Sequence, residues 1–282
     1  MSALEMPANI STLVLTDFFK AFDMVDHTIA FEKLLQMNVP PEIVQWIVGF
    51  ISQRSQRVIY KGALSEWATL TVGVPQGTLL AVLIFLIYVN DSLQNVENMG
   101  ADAWKYVDDQ TIGETSKFGE PGNLQAVLDN LYNWTKSNKL KLNLSKCQGI
   151  RFYFGRRPLP DISLHISNEN LPVVNSVKLL GVVFDNDLKW SSNTDAIIAK
   201  ANCKLFILWS LRRAGFNCDE LLTIYRSHVR PVLEYAAPLW HPGLTKQQSM
   251  AIERIQTRVC RCILADKFIS YSDALSKLGE TF

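Results

Sequence analysis

Cysteine, histidine and net charge are all scarce in this chain of 282 residues, which has five Cys, four His and a formal charge of +1. The cysteines, Cys147, Cys203, Cys218, Cys260 and Cys262, are odd in number and irregularly spaced. That argues against a disulfide framework and predicts reduced thiols in an intracellular, non-secreted protein. Cys260-Arg261-Cys262 leaves one residue between two thiols, poor geometry for zinc, and no second cysteine pair follows it. The first ten residues have neither a basic stretch nor an apolar core, so no secretory signal is read there. The longest apolar run, 79–89, falls well short of the ~20 residues that cross a bilayer, and no membrane partner is expected. The chain shows no repeat and no low-complexity segment, and its sequence does not address oligomeric state. An apolar share of 48% suffices for the core of one large domain or two small ones.

The order of patterns predicts an α/β chain. Residues 12–16 are a short apolar run closed by Asp17, a buried strand with a carboxylate at its C-terminal end. Helices are expected over 27–37 and 41–52, with Pro41 at a first helical turn. Strands are expected over 56–60 and 68–72, joined across Lys61-Gly62, then a turn over 73–77 and a helix through the apolar run. Residues 104–107 and 110–112 read as strands on either side of Asp108-Asp109. Leu124, Val127, Leu128, Leu131 and Trp134 recur at helical spacing and mark a face that packs on a sheet. Further strands are expected within 140–154 and 173–184. After Trp190, helical segments near 195–214, 219–235 and 245–264 replace strands, so the domains are predicted as 1–190 and 191–282. Between 200 and 267 eleven basic residues outnumber five acidic ones, which suits either a polyanion or a solvated helical face.

Three acids carry the candidate chemistry. Asp108 and Asp109 are consecutive, and in a flat strand they would point to opposite faces, so a shared site requires a tight hairpin there. Carboxylates held close together repel and raise one another's pKa, and cations remove that cost. Hard oxygen donors without a Cys or His pair suit Mg²⁺ or Mn²⁺, and two such ions can clamp an in-line phosphoryl displacement. An isolated Asp-Asp more often caps a turn, and on these residues alone a metal-dependent phosphotransferase of another fold stays open.

The local wording narrows this. Leu15-Thr16-Asp17-Phe18-Phe19-Lys20-Ala21-Phe22-Asp23-Met24-Val25-Asp26-His27 resembles motif A of the reverse transcriptases of non-LTR (LINE-type) retrotransposons. Gly73-Val74-Pro75-Gln76-Gly77-Thr78, with the apolar helix ending Tyr88-Val89-Asn90-Asp91, is similar to their motif B, and Tyr106-Val107-Asp108-Asp109 to motif C. Leu142-Asn143 with Lys146 resembles motif D, and Leu179-Leu180-Gly181-Val182 with Trp190 the primer-grip region. The resemblance implies an α/β (α+β) fold: a polymerase palm with a small, mainly antiparallel sheet, then a helical thumb. It implies RNA-directed DNA synthesis on an RNA template from a DNA primer, with dNTPs and two Mg²⁺ (or Mn²⁺) ions. Asp17, Asp108 and Asp109 would be the catalytic metal ligands, with Asp109 the more peripheral. Lys146 would stand at the leaving pyrophosphate as an acid or a charge. Phe22 would be the steric gate against a ribose 2′-OH, and Gln76 and Gly77 would lie against the incoming nucleotide and template. Arg254, Arg258 and Arg261, spaced by four and three, would face a nucleic-acid channel.

The chain departs from the family pattern at three places. Ala81-Val82 stands where a small residue and proline are usual, and Val107 where alanine is more common. About a dozen residues precede Asp17, so a fingers region is expected to be largely absent and activity of the chain alone to be weak. The competing reading is a truncated or co-opted element remnant that binds nucleic acid without catalysis.

Overall fold

The computed structural model describes residues 9–279, and the chain divides into two compact units, Met1–Val174 and Asn175–Phe282. The division precedes the predicted boundary at 190/191. The hairpin before Trp190 explains the difference, because it is bonded to the long helix that follows it: Asn193 Oδ1 accepts from the Val183 N–H at 3.1 Å, and Asp185 from the Ser192 N–H at 3.0 Å.

In the first unit the chain order is β1 (Asn9–Thr16), α1 (His27–Gln36), α2 (Pro41–Ile51), β2 (Arg54–Gln56), β3 (Ile59–Tyr60), β4 (Ala63–Leu64), β5 (Ala68–Leu70) and α3 (Leu79–Val89). There follow β6 (Asp102–Tyr106), β7 (Asp109–Lys117), α4 (Leu124–Ser137), β8 (Gln148–Phe152), β9 (His165–Ile166), β10 (Glu169–Asn170) and β11 (Val173–Val174). A five-stranded sheet runs β11-β8-β1-β7-β6 and is antiparallel except for the β11–β8 pair. The small, mainly antiparallel sheet expected of a palm is thus present, with β1 at its centre. The predicted hairpin over 56–72 is two nested pairs, β2 with β5 and β3 with β4, and residues 140–147 precede β8 as a connection rather than a strand.

Helix α3 explains much of the packing. Its apolar run fits no strand because Ala81, Ile84, Phe85 and Tyr88 share one buried helical face, while Leu79, Leu83 and Leu86 on the other are exposed. Buried Leu34, Ile47 and Ile51 of α1 and α2 complete that core, each contributing about 1.5–3 kcal/mol by burial. The Thr78 hydroxyl caps α3 by accepting from the Ala81 N–H at 3.2 Å. The Val82 N–H reaches Thr78 O only at 3.5 Å, so little hangs on the absence of proline there. At the other end Lys33 donates to Tyr88 O (2.6 Å) and Asp91 (2.5 Å), and Lys105 to Val89 O (3.2 Å) and Asn90 O (2.8 Å). Two ammoniums therefore complement the negative end of the helix dipole. Burial pushes both lysines below their usual pKa, and Asp91 opposes the shift. Across the sheet, Leu124, Val127, Leu128 and Leu131 of α4 are buried with Val14 and Ile112, the face that their spacing predicted.

The second unit starts with the hairpin β12 (Ser176–Leu179) and β13 (Val182–Asp185). Helices α5 (Ser191–Arg213), α6 (Cys218–Ile224), α7 (Arg230–Glu234), α8 (Ala237–Trp240), α9 (Lys246–Leu264) and α10 (Tyr271–Leu278) follow. The single helix expected over 219–235 is broken by a π turn, Tyr225–Val229, just before Pro231, which has no N–H to continue the ladder. Thr245 and Gln248 form a capping box on α9. No helix among the described residues is long and apolar enough to cross a membrane.

Tyr88 joins two distant segments of the palm core. It is fully buried, its hydroxyl donates to Asn138 O at 2.6 Å, and burial pushes its pKa up to about 12. Tyr88→Phe leaves that carbonyl without its donor and is expected to cost about 1–3 kcal/mol. Urea unfolding checks this: the midpoint should fall with the slope unchanged.

Candidate active site

The site is built at one end of the central sheet. In the β1–β7 ladder Thr16 opposes Gln110, and Asp17 and Asp109 are the next residues beyond that pair. In the β6–β7 hairpin Tyr106 opposes Asp109, so Val107 and Asp108 form a two-residue turn. The tight reversal that two consecutive carboxylates needed is present. Val107 takes φ +57°, a left-handed conformation that is costly for a β-branched residue. The strain is one of backbone conformation, and it lies beside the acids. A buried Gln110 Nε2 bond to Ser92 Oγ at 2.7 Å anchors β7 next to the turn.

Asp17 is held from the connection ahead of β8. The Asn143 N–H donates to the Asp17 carbonyl at 2.7 Å, Asn143 Nδ2 to its carboxylate at 3.1 Å, and Lys146 Nζ stands 3.2 Å from the same Oδ2. Asn143 was visible in the sequence only as part of a motif, and its bond to Asp17 had no local signal, since 126 residues separate the two. Lys146, 64% exposed, is therefore a partner of Asp17 rather than an isolated surface lysine. Desolvation, then Asp108 and Asp17, push the Asp109 carboxyl above its ordinary pKa, and Lys146 opposes them. Asp108 and Asp17 thus both act on Asp109 at one sheet end.

A second loop is clamped against the chain after Asp17. Phe22, half-buried, stacks on Phe85 with centroids 4.9 Å apart. Gly73 donates its N–H to Val25 O at 2.7 Å, and its carbonyl accepts from His27 Nε2 and Arg54, each at 2.8 Å. It has φ +84°, and a Cβ there would lie 3.0 Å from Asp23 O, so glycine alone fits. Gln76 Nε2 donates to Asp23 at 3.0 Å, which ties the two loops again. Gly77, with φ +86°, has open space where its Cβ would be, so its backbone is accessible. In the second unit Arg254, Arg258 and Arg261 are all exposed on α9; Arg258 donates to Asn202 at 2.6 Å and Arg261 lies over Phe268 at 5.2 Å.

The donor set suits a divalent cation in kind, since three carboxylates repel at one end of a sheet. Among the described residues, no group of three or more His, Cys, Asp or Glu side chains is placed to hold a metal ion, and the cation at Asp17 is the Lys146 ammonium.

Residues 3–184 match the family model described as Reverse transcriptase (RNA-dependent DNA polymerase). The chain belongs to the reverse transcriptase family. It is 27% identical over 255 residues to the probable RNA-directed DNA polymerase from transposon X-element of Drosophila melanogaster, covering 88% of this chain and 27% of that protein. It is 23% identical over 235 residues to the RNA-directed DNA polymerase from mobile element jockey of the same fly, covering 79% and 25%. The chain thus spans about a quarter of the length of these relatives. Among solved structures, telomerase from Candida tropicalis in complex with a fragment of telomeric RNA aligns with a TM-score of 0.47 at 10% identity, covering 96% of this chain and 49% of that one. The LINE-type family resemblance read from the motifs is borne out by the family model and by these mobile-element relatives.

Because its pKa is raised on folding, charged Asp109 is less favourable in the native chain than in the unfolded one. The cost is absent below the ordinary carboxylate range, grows as pH rises through the raised pKa, and is complete above it. Asp109→Asn is therefore expected to raise Tm at neutral pH in the presence of a chelator, with the gain vanishing in acid. Thermal melts across pH decide it, and a gain that persists undiminished in acid would contradict this origin.

Proposed function

We propose that this chain is the palm, with a helical thumb, of an RNA-directed DNA polymerase that joins a dNTP to a primer 3′-OH on an RNA template. The observation that carries the reading is the shared sheet end, where Asp17 and Asp109 follow one strand-pair register and Asp108 and Asp17 both shift Asp109. The predicted division of labour is 1–190 for the palm and 191–282 for the thumb, and the work is done inside the cell.

Reverse transcriptases use divalent cations, and in this reading Asp17, Asp108 and Asp109 would hold two Mg²⁺ (or Mn²⁺), with Asp109 the more peripheral. When bound, such ions activate the attacking hydroxyl and neutralise charge on the leaving oxygens. Asn143 orients the Asp17 carboxylate. Lys146, next to Asp17, is poised to meet the pyrophosphate as it leaves, as a charge or a proton donor. Phe22 is fixed by its stack on Phe85, as a gate that excludes a ribose 2′-OH must be. Gln76 and Gly77 present an amide and an open backbone on the loop clamped beside Asp23. Exposed Arg254, Arg258 and Arg261 supply phosphate contacts from the thumb.

The test is primer extension on an RNA template with dNTPs and Mg²⁺ or Mn²⁺. It uses the chain as given and the same chain preceded by the upstream segment of the X-element relative. The longer form is expected to extend the primer and the shorter one weakly, because much of the rate comes from holding the triphosphate in line. Asp108→Asn and Asp17→Asn should each lower extension on the order of 10³-fold, about 4 kcal/mol of transition-state stabilisation. No extension by either form, with RNA binding retained, would favour the non-catalytic remnant instead.

A further inference from the structure

Net charge conceals a local imbalance. Between Asn130 and Pro160 the sequence carries seven Lys or Arg and no Asp or Glu. Part of this run encloses space. Lys136, Lys139 and Lys141 line, with Tyr132, an open cavity of about 540 Å³ between the end of α4 and the connection to β8, and no acid lines it. The size suits one nucleotide unit.

The charges facing this cavity are unevenly compensated. Lys139 is paired with Asp26 across 2.7 Å. Lys136 rests over the Tyr132 ring at 4.3 Å, which positions the ammonium without neutralising it. Lys136 and Lys141 form no ion pair among the described residues and are both exposed. Three ammoniums around one opening, with a single carboxylate to offset them, favour an anion there. The cavity also adjoins the candidate site in the chain. Lys141 O accepts from the Phe19 N–H at 2.8 Å, Leu142 bridges to Phe18, and the same connection brings Asn143 and Lys146 to Asp17.

We propose that this cavity binds a backbone phosphate of a nucleic-acid strand held by the palm, a contact outside the polymerase centre. Lysines act as point charges and read no sequence, and the wall offers neither a glycine-rich loop nor a helix N-terminus to cradle a free triphosphate. The inference rests on the polymerase reading only for the identity of the ligand.

The experiment measures binding of a labelled single-stranded RNA by fluorescence anisotropy over a series of salt concentrations, with chelator present. The doubly substituted chain Lys136→Gln/Lys141→Gln should melt as the parent does and bind RNA more weakly. Its plot of log K against log salt should be shallower by about 0.7, the slope of one lost single-strand phosphate contact. Lys136→Arg/Lys141→Arg should restore the parent slope. An unchanged slope in the Gln variant overturns the proposal. So does a calorimetric titration in which that variant loses inorganic pyrophosphate binding while its RNA slope is unaltered. Failure of the polymerase reading would show instead as absent extension, which this assay does not measure.

Discussion

The carboxylate of Asp17 must stay in place at a sheet end that it shares with Asp109, and this constraint organises the first unit. Two contacts from the connection ahead of β8 reach the carboxylate, from Asn143 Nδ2 and the Lys146 ammonium, and the Asn143 N–H holds the Asp17 backbone carbonyl. Hydrogen bonds to a charged acceptor are among the stronger ones available. They require residues 143–146 to lie beside the end of β1, which the Phe18–Leu142 bridge and the Phe19–Lys141 bond also enforce. Lys139 pairs with Asp26, the cap of α1, so the same connection also fixes where the first helix begins. Burial raises the Asp26 pKa, but the Lys139 bond and the capping N–H groups outweigh it and leave it low. That pairing therefore persists until well into acid.

The loop after Asp17 and the loop before α3 are then joined without freedom to slide. Gly73 has no side chain to hold Asp23 away, and its carbonyl is engaged by both His27 and Arg54. With Gln76 on Asp23, the two loops form one rigid wall, and a site that needs reacting groups held in line benefits from such pre-organisation. Tyr88 and Lys33 fasten the far end of α3, so the helix that carries the Gly77 loop is fixed at both ends.

Much of this was legible before any coordinates. The buried face of α4, the ends of α2, the turn at Asp108 and the helical character of the 79–89 run all followed from periodicity, proline and charge. The misreadings share a cause: local pattern does not record distant partners. The hairpin around Gly181 is bound to the helices by Asn193 and Tyr235, 10 and 55 residues away from their partners. The π turn arises from the missing N–H of Pro231, a residue in plain view whose effect depends on the turn before it. Asn143 carried no sign of its role, because what it does is set by an aspartate on another strand.

Charge shows the same gap between tally and placement. Screening limits exposed charges to neighbours within about 8 Å at physiological ionic strength, so a distant carboxylate does nothing for Lys136 or Lys141. A formal charge of +1 is thus compatible with an acidic sheet end that attracts cations and, on the connection that holds Asp17, a lysine-lined opening that attracts anions. Here Lys139 and Lys146 are each committed to one aspartate, whereas Lys136 and Lys141 have none. The two kinds of lysine are separated by pairing rather than by distance along the chain, which is why composition alone gives no hint of either.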